Sequence, residues 1–260
     1  MSDLTTSAWF PALILIAVLV YLAVTVWKDT REYSAFKNSD ETPVRIAYFR
    51  KWWRKGFFLY TLLPLLILTL LGRGEVLSGV PLELSAARDS LTGGVGSSSA
   101  AVEINLDDLS LPFVLGVLFA FVIGVLFVAV LTKAIGKSGA AGDFEPLLPR
   151  NARERWPVLL LSLNAGVGEE FFFRAMLPLL FVLAGMPPVP ALWACAAIFG
   201  LVHVYQGWLG VLVTGVLGMG LSYLYLKSDA IWYPMALHVL VNLNALFLRP
   251  ALARLVGRIC

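Results

Sequence analysis

The chain has 260 residues, of which 59% are hydrophobic and 14% are charged, and its mean hydropathy is +0.81. Soluble globular domains carry roughly 25% charged residues, so this composition excludes an ordinary soluble domain and indicates an integral membrane protein. The net charge is only +3, and we expect no nucleic-acid partner. The two cysteines, Cys195 and Cys260, do not form a disulfide framework.

Long apolar stretches predict an all-α, polytopic membrane protein with about seven transmembrane helices, because each span needs about 20 apolar residues. The predicted spans are 8–27, 57–72, 111–132, 156–183, 189–204, 208–226 and 230–248. The last four are joined by short connections and should form a compact antiparallel group. We therefore divide the chain into N-terminal helices at 1–135, with a basic cytoplasmic loop and an outer loop at 73–110, and a helical core at 156–248. The outer loop includes a short strand-like pattern at 102–106.

The distribution of Lys and Arg predicts the orientation. Sixteen of these residues lie in segments 28–55, 133–155, 205–207 and 249–260, and three lie in segments 73–110, 184–188 and 227–229. Cytoplasmic segments carry the excess of positive charge, so we expect the N-terminus outside and the C-terminus in the cytoplasm. The compact size fits a bacterial inner (plasma) membrane.

The basic segment 28–55 ends in Tyr-Phe-Arg-Lys-Trp-Trp-Arg-Lys, residues 48–55. Aromatic residues among cations suit an interfacial segment on anionic headgroups. A topology signal with an aromatic belt is the favoured interpretation, and substrate docking is the alternative.

Ionisable side chains are costly within a membrane, yet three occur together in the fourth span as Glu169-Glu170-Phe-Phe-Phe-Arg174. Glu170 and Arg174 are four residues apart, so they share a helix face and should form a pair. Glu169 is rotated about 100° away on the helix and has no partner there. We expect Glu169 to meet another helix.

Both histidines of the chain lie in later apolar segments, as Phe199-Gly-Leu-Val-His203 and His238-Val-Leu-Val-Asn242. Together with Glu169 they suit hydrolysis by an activated water. A carboxylate can act as general base, and His203 could share the water with it, directly or through a metal. His238 and Asn242 could donate hydrogen bonds to a developing oxyanion. Each motif alone could be a structural contact between helices, but their combination favours a functional site.

The three motifs, in this order on successive apolar segments, resemble the CAAX-protease and bacteriocin-processing (CPBP, Abi) family of intramembrane proteases. This family includes the eukaryotic type II CAAX prenyl endopeptidase and bacterial lysostaphin-resistance-A-like proteins. The resemblance covers roughly residues 156–248 and has no departure at the motif positions. It implies that Glu169 and His203 activate the attacking water and that His238 and Asn242 form an oxyanion hole. Glu170 and Arg174 would orient the site.

The family resemblance leaves the metal requirement open. Glu169, His203 and His238 could hold zinc or another divalent metal with an open water position. In that case Glu169 would have to be either ligand or base, and Glu170, paired with Arg174, is a poor substitute. A metal-free, glutamate-type mechanism is therefore slightly favoured.

The expected substrate is a membrane-anchored protein or peptide, prenylated or unmodified, cleaved at the lipid bilayer. The first three helices lie outside the resemblance and would encode the choice of substrate. One alternative is a non-catalytic membrane immunity or scaffold protein on the same fold. A proton-coupled transporter is a weaker alternative, because the sequence shows no internal symmetry of the kind that transporters often have.

Overall fold

The computed structural model describes residues 9–92 and 144–251, which are helical and contain no strand. The all-α class is therefore confirmed for this part of the chain. Its helices are α1 (Trp9–Lys37), α2 (Thr42–Leu70), α3 (Ser85–Thr92), α4 (152–183), α5 (Pro188–Leu201), α6 (Trp208–Ser228) and α7 (232–248). Single 3-10 turns occur at Gly74–Leu77, Leu82–Leu84, Glu145–Leu147 and Val204–Gln206.

Three of these helices contain a π turn, at Phe58–Leu62 in α2, Phe171–Met176 in α4 and Asn244–Leu248 in α7. In α4 the π turn begins directly after Glu170, and the Leu177 N–H bonds to the Phe172 carbonyl, five residues back. Pro178 follows and has no N–H to bond the Arg174 carbonyl. The helix is thus irregular across the Glu-Glu-x-x-x-Arg motif, and π turns are frequent at functional sites.

The predicted count of seven spans is not confirmed. Within residues 9–92 and 144–251, three helices are long and apolar enough to cross a membrane, namely α1, α2 and α6. Helix α5 is apolar but shorter, and α4 and α7 are interrupted by the polar residues of the first and third motifs. The predicted span 111–132 and the strand-like segment 102–106 lie outside the described residues.

Two segments predicted as loops are largely helical. Residues 28–55 contain the end of α1 and the beginning of α2, separated by a short turn at 38–41. The first half of the predicted outer loop 73–110 forms two 3-10 turns and α3. Charged residues in 28–55 were assigned to a loop because they interrupt the apolar pattern, but the helices extend beyond their apolar portions.

Helix α4 lies at the centre of the bundle. Its residues from Gly168 to Phe181 are almost all buried, and Phe172, Phe173 and Met176 are no more than 1% exposed. Helices α1, α2, α5 and α7 all pack against it. Because α4 carries Glu169, Glu170 and Arg174, the ionisable motif lies within the apolar core and not on its surface.

Segments predicted to lie on the same side of the membrane contact each other in the structure. On the predicted cytoplasmic side, the rings of Tyr33 and Tyr205 are 4.9 Å apart between centroids. On the predicted outer side, Asp229 accepts a hydrogen bond from the Val80 N–H at 2.8 Å and pairs with Arg88 at 3.4 Å. These contacts agree with the predicted grouping of segments, whereas the assignment of one side to the cytoplasm stays a prediction.

A buried ion pair joins the beginnings of α2 and α4. Arg45 Nε lies 3.1 Å from Glu154 Oε2, and both side chains are fully buried. The Arg45 Nη2 atom also donates to the carbonyls of Pro146 and Leu148. Arg45 was counted among the basic residues of segment 28–55, and nothing in its spacing indicated that it points into the protein.

Candidate active site

Glu170 connects α4 to α7. Its Oε2 atom lies 3.0 Å from Arg174 Nε, and its Oε1 atom lies 2.7 Å from His238 Nδ1. The contact with Arg174 is an ion pair and not a well-aligned hydrogen bond. All three side chains are buried. The predicted pairing of Glu170 with Arg174 is therefore present, and the contact with His238 adds a link that helical spacing could not reveal.

The guanidinium of Arg174 is held by more than Glu170. Its Cζ atom lies 4.3 Å from the centre of the Phe199 ring, and its Nη2 atom donates to the Gly218 carbonyl at 3.4 Å. A cation over an aromatic face is favourable, more so when it is shielded from water. The Arg174 side chain thus joins α4 to α5 and α6, while its ion pair neutralises Glu170.

Glu169 faces His203. The Oε2 atom of Glu169 and the Nε2 atom of His203 are 3.9 Å apart, which is too long for a direct hydrogen bond. This oxygen is buried and has no hydrogen-bond partner in the part of the chain that the structure describes. The side chains remain 14% and 12% exposed, whereas Glu170 is fully buried. Glu169 is therefore the less enclosed of the two carboxylates.

The orientation of the His203 ring follows from its other nitrogen. Nδ1 lies 2.8 Å from the Phe199 carbonyl oxygen, which can only accept, so Nδ1 carries a proton. In the neutral ring, Nε2 then presents a lone pair toward Glu169. A water molecule about 2.8 Å from both Glu169 Oε2 and His203 Nε2, with an angle of about 90° at its oxygen, would bridge a separation close to the one observed between these two atoms.

Asn242 is placed differently from the expectation. Its Nδ2 atom donates to the Ser162 carbonyl of α4 at 3.3 Å, so one of its two amide hydrogens is engaged. The Nδ1 atom of His238 is engaged with Glu170, which leaves Nε2 as the nitrogen that could face a substrate. His238 and Asn242 of α7 therefore both hydrogen-bond to α4. Each side chain uses one of its donor groups for this contact.

Phe199 lies between the two histidines. Its ring centroid is 4.9 Å from that of His203 and 5.9 Å from that of His238, both in edge-to-face arrangements. The ring is 1% exposed. The Phe199 ring thus keeps the two imidazoles apart, and its carbonyl orients His203. Both contacts depend on the spacing of four residues in the Phe-x-x-x-His pattern.

Glycines allow the helices of the site to approach closely. A Cβ atom at Gly166 in α4 would lie 2.8 Å from the Val239 backbone nitrogen in α7, next to His238. A Cβ atom at Gly218 in α6 would lie 2.9 Å from Phe199 Cδ1. Real side chains do not tolerate such separations, so these two positions require glycine for the present packing.

Two tyrosines near Glu169 were missed by sequence analysis. Tyr60, in the π turn of α2, and Tyr205, which follows α5, both interact electrostatically with Glu169. The Tyr205 hydroxyl accepts a hydrogen bond from Gln206 Nε2 at 2.9 Å, and its ring lies 5.9 Å from that of His203. Tyr60 comes from outside the matched motifs, and no spacing rule connects it with them.

The described residues do not gather the expected metal ligands into one cluster. Among the residues that the structure describes, no group of three or more His, Cys, Asp or Glu side chains is arranged to hold a metal ion. Glu169 and His203 direct two ligand atoms at each other, and Nδ1 of His238, the third expected ligand, binds Glu170, which leaves its Nε2 atom as the nitrogen available to a ligand. The metal requirement stays a prediction, and no step of the proposed reaction is routed through a metal.

The helices and the buried site define an integral membrane protein with a carboxylate–imidazole pair inside a helical bundle. Residues 151–244 match the family model of type II CAAX prenyl endopeptidase Rce1-like proteins, which supports the resemblance of this segment to the CAAX-protease family. No curated protein and no solved structure matches the chain significantly. The matched segment contains all three motifs, and the resemblance inferred from them is confirmed. The family is one of CAAX-type endopeptidases acting at membranes.

Proposed function

We propose that this protein is an intramembrane endopeptidase that hydrolyses a peptide bond near the membrane in a membrane-anchored or prenylated protein or peptide. The observation that carries this proposal is the buried Oε2 atom of Glu169, which lacks a hydrogen-bond partner among the described residues and faces His203 Nε2 at 3.9 Å. A buried carboxylate oxygen is costly to leave without a partner. A water molecule between the two side chains would satisfy both groups and would be the nucleophile.

In the proposed reaction Glu169 takes a proton from this water while His203 Nε2 orients it. The resulting hydroxide attacks the carbonyl carbon of the substrate and forms a tetrahedral oxyanion. Glu169 then returns the proton to the leaving amine nitrogen as the C–N bond breaks, which yields a new carboxylic acid and a new amine, and the acid afterwards gives its proton to the amine. The Phe199 carbonyl holds His203 in the required tautomer throughout.

The oxyanion would be stabilised by His238 and Asn242. Glu170 accepts a hydrogen bond from His238 Nδ1, so Nε2 is the atom of His238 that would face the oxyanion, where it donates when it carries a proton. The second amide hydrogen of Asn242 is the other donor, since the first binds Ser162. Donors fixed in advance in a site shielded from water typically contribute a few kcal/mol to such reactions.

The substrate would be cleaved at the cytoplasmic side or within the bilayer of a bacterial inner membrane. His203 follows the end of α5 and lies beside Tyr205, in the segment 205–207 predicted to be cytoplasmic. The charge distribution supports this orientation. Appearance of cleavage products on the outer face of sealed vesicles would contradict it.

The test is cleavage of a panel of farnesylated and unmodified membrane-anchored peptides by the purified protein. Wild type is compared with Glu169→Gln, and with Glu145→Gln as a control that removes an exposed carboxylate outside the site. We expect cleavage by wild type and Glu145→Gln, and a loss of at least about 100-fold in Glu169→Gln. Each reaction is run with and without chelator, and full activity with chelator is the expected result.

Other outcomes point to other functions. Activity lost with chelator and restored by zinc would make this protein a metalloprotease and would overturn the metal-free mechanism. No cleavage of any peptide, by protein shown to be folded, would favour the non-catalytic membrane protein. Equal activity in Glu169→Gln and wild type would remove Glu169 from the reaction.

A further inference from the structure

The cationic residues in the first half of α2 differ in whether they form ion pairs with the rest of the protein. Lys51 pairs with Glu32 at 2.7 Å, and Lys55 pairs with Asp29, so these two cations are neutralised by α1. Arg45 is buried against Glu154. The three pairs are made on the sides of α2 that pack against the rest of the protein.

Arg50 and Arg54 differ from these three. Both side chains are exposed, and neither guanidinium makes an ion pair or hydrogen bond within residues 9–92 and 144–251. They are four residues apart and therefore lie one above the other on the helix. Two adjacent positive charges without a counterion repel each other, so this face of α2 favours an anion.

The same face forms a groove. Its volume is about 450 Å³, and it is lined by Ala47, Arg50, Trp53 and Arg54. The small side chain of Ala47 leaves the space open, and the two arginines bring their planar donor groups to it. The ring of Trp53 stacks on that of Phe57 at 5.7 Å with an angle of 5° between the planes. The groove is thus lined by two arginine guanidinium groups and by the aromatic ring of Trp53, which is held in place by stacking. This ring is the aromatic wall of the groove.

The groove is located where α2 changes character. The helix is polar from Thr42 to Phe57 and becomes apolar after Phe57, and Thr42–Leu70 is one of the helices long and apolar enough to cross a membrane. The Trp53 carbonyl accepts a hydrogen bond from Asn164 of α4 at 3.1 Å, which fixes this turn against the core. An α2 that crosses the membrane would therefore hold Arg50, Trp53 and Arg54 at the level of lipid headgroups.

We propose that this groove binds the phosphate of an anionic phospholipid. Arginine matches phosphate with two parallel hydrogen bonds, and a tryptophan at the interface can cover the glycerol and the upper acyl chain. The predicted orientation faces the groove toward the cytoplasmic leaflet, where anionic headgroups attract basic segments. This site is independent of the proteolytic activity.

The experiment measures lipid retention by native mass spectrometry of the full chain in detergent, with phosphatidylglycerol and phosphatidylcholine added in equal amounts. Wild type is compared with Arg50→Gln/Arg54→Gln. The matched control is Arg153→Gln/Arg155→Gln, which removes two exposed cations on the same predicted side but away from the groove. Trp53→Ala tests the aromatic wall without changing the charge.

We expect wild type and the Arg153/Arg155 control to retain phosphatidylglycerol preferentially. Affinity should fall about 25-fold in the Arg50/Arg54 variant, at roughly fivefold for each cation, and should also fall in Trp53→Ala. Equal losses of affinity in both double variants would show that the preference for phosphatidylglycerol reflects general surface charge, and this would contradict a specific site. Competition by soluble glycerol phosphate as strong as that by lipid would assign the groove to a free phosphate compound instead. No preference between the two lipids would overturn the proposal directly.

Folding of the Arg50/Arg54 variant is checked by its thermal unfolding, which should match that of wild type because neither side chain has a partner among the described residues. If that variant does not fold, Arg50→Lys/Arg54→Lys decides the question, since it keeps the charge but loses the planar fork. Undiminished preference for phosphatidylglycerol in this lysine variant would contradict recognition by arginine forks.

Discussion

His238 Nδ1 lies 2.7 Å from Oε1 of Glu170, so the histidine of α7 is anchored by the second glutamate of the motif and not by the first. Glu170 is thereby shared between His238 and Arg174, while Glu169 faces His203 with an oxygen that has no hydrogen-bond partner among the described residues. Two adjacent glutamates in one helix thus have different surroundings. One is part of a buried network, and the other is available for chemistry.

Because the two glutamates have different surroundings, replacing each of them with glutamine should affect different properties of the protein. Glu169→Gln should lower peptide cleavage by at least about 100-fold without lowering the melting temperature, because the buried Oε2 atom has no hydrogen-bond partner to lose among the described residues. Glu170→Gln should lower the stability by about 3–5 kcal/mol, since it leaves Arg174 buried without its counterion. Thermal unfolding in detergent and a cleavage assay measure both quantities. Equal destabilisation by the two variants would contradict the assigned roles.

The close approach of α4 and α7 at Gly166 gives a second prediction. Gly166→Ala would place a Cβ atom 2.5 Å from Val239 Cγ2 and 2.8 Å from its backbone nitrogen, so the helices must separate. We expect a loss of about 1–3 kcal/mol in stability and a lower rate of cleavage, because His238 moves away from Glu170.

The matched control for this substitution is Gly220→Ala in α6. A Cβ atom there has nothing within 4 Å among the described residues, and alanine is the better helix former. Its melting temperature should be equal to or above that of wild type. Unchanged stability and activity in Gly166→Ala would show that the helices can separate without cost.

The buried pair of Arg45 and Glu154 predicts a strong effect on stability outside the site. Arg45→Met removes one partner and leaves the Glu154 carboxylate buried, for an expected loss of about 3–5 kcal/mol. Arg150→Gln removes a cation that pairs with exposed Asp40, and such surface pairs contribute about 1 kcal/mol or less. Thermal unfolding ranks the two variants. A larger effect of Arg150→Gln would contradict the structural role of Arg45.

Sidedness can be tested with single cysteines introduced into a Cys195→Ala/Cys260→Ser background. Asn38→Cys lies in the turn between α1 and α2, and Ser78→Cys lies in the first part of segment 73–110, both at exposed positions. A membrane-impermeant maleimide should label Ser78→Cys in intact cells and Asn38→Cys only after permeabilisation, as the charge distribution predicts. The reverse pattern would invert the topology.

Much of the site was predictable because helical periodicity determines which residues of one helix are neighbours. The pairing of Glu170 with Arg174 and the shared face of Phe199 and His203 follow from a spacing of four residues. The expectation that Glu169 meets another helix is also in agreement with its position beside His203. Tyr60 had no such signal, because its approach to Glu169 depends on how α2 packs against α4.

The sequence by itself determined the membrane class, the apolar parts of the helices among the described residues and the three motifs, because hydropathy and helical spacing are local properties. Only the tertiary structure decided which partners meet across helices. His238 binds Glu170, Asn242 binds Ser162, and Arg45 turns inward to Glu154 while Arg50 and Arg54 remain exposed. These choices depend on interhelical distances of a few ångströms, set by small residues such as Gly166, and no pattern along one helix contains that information.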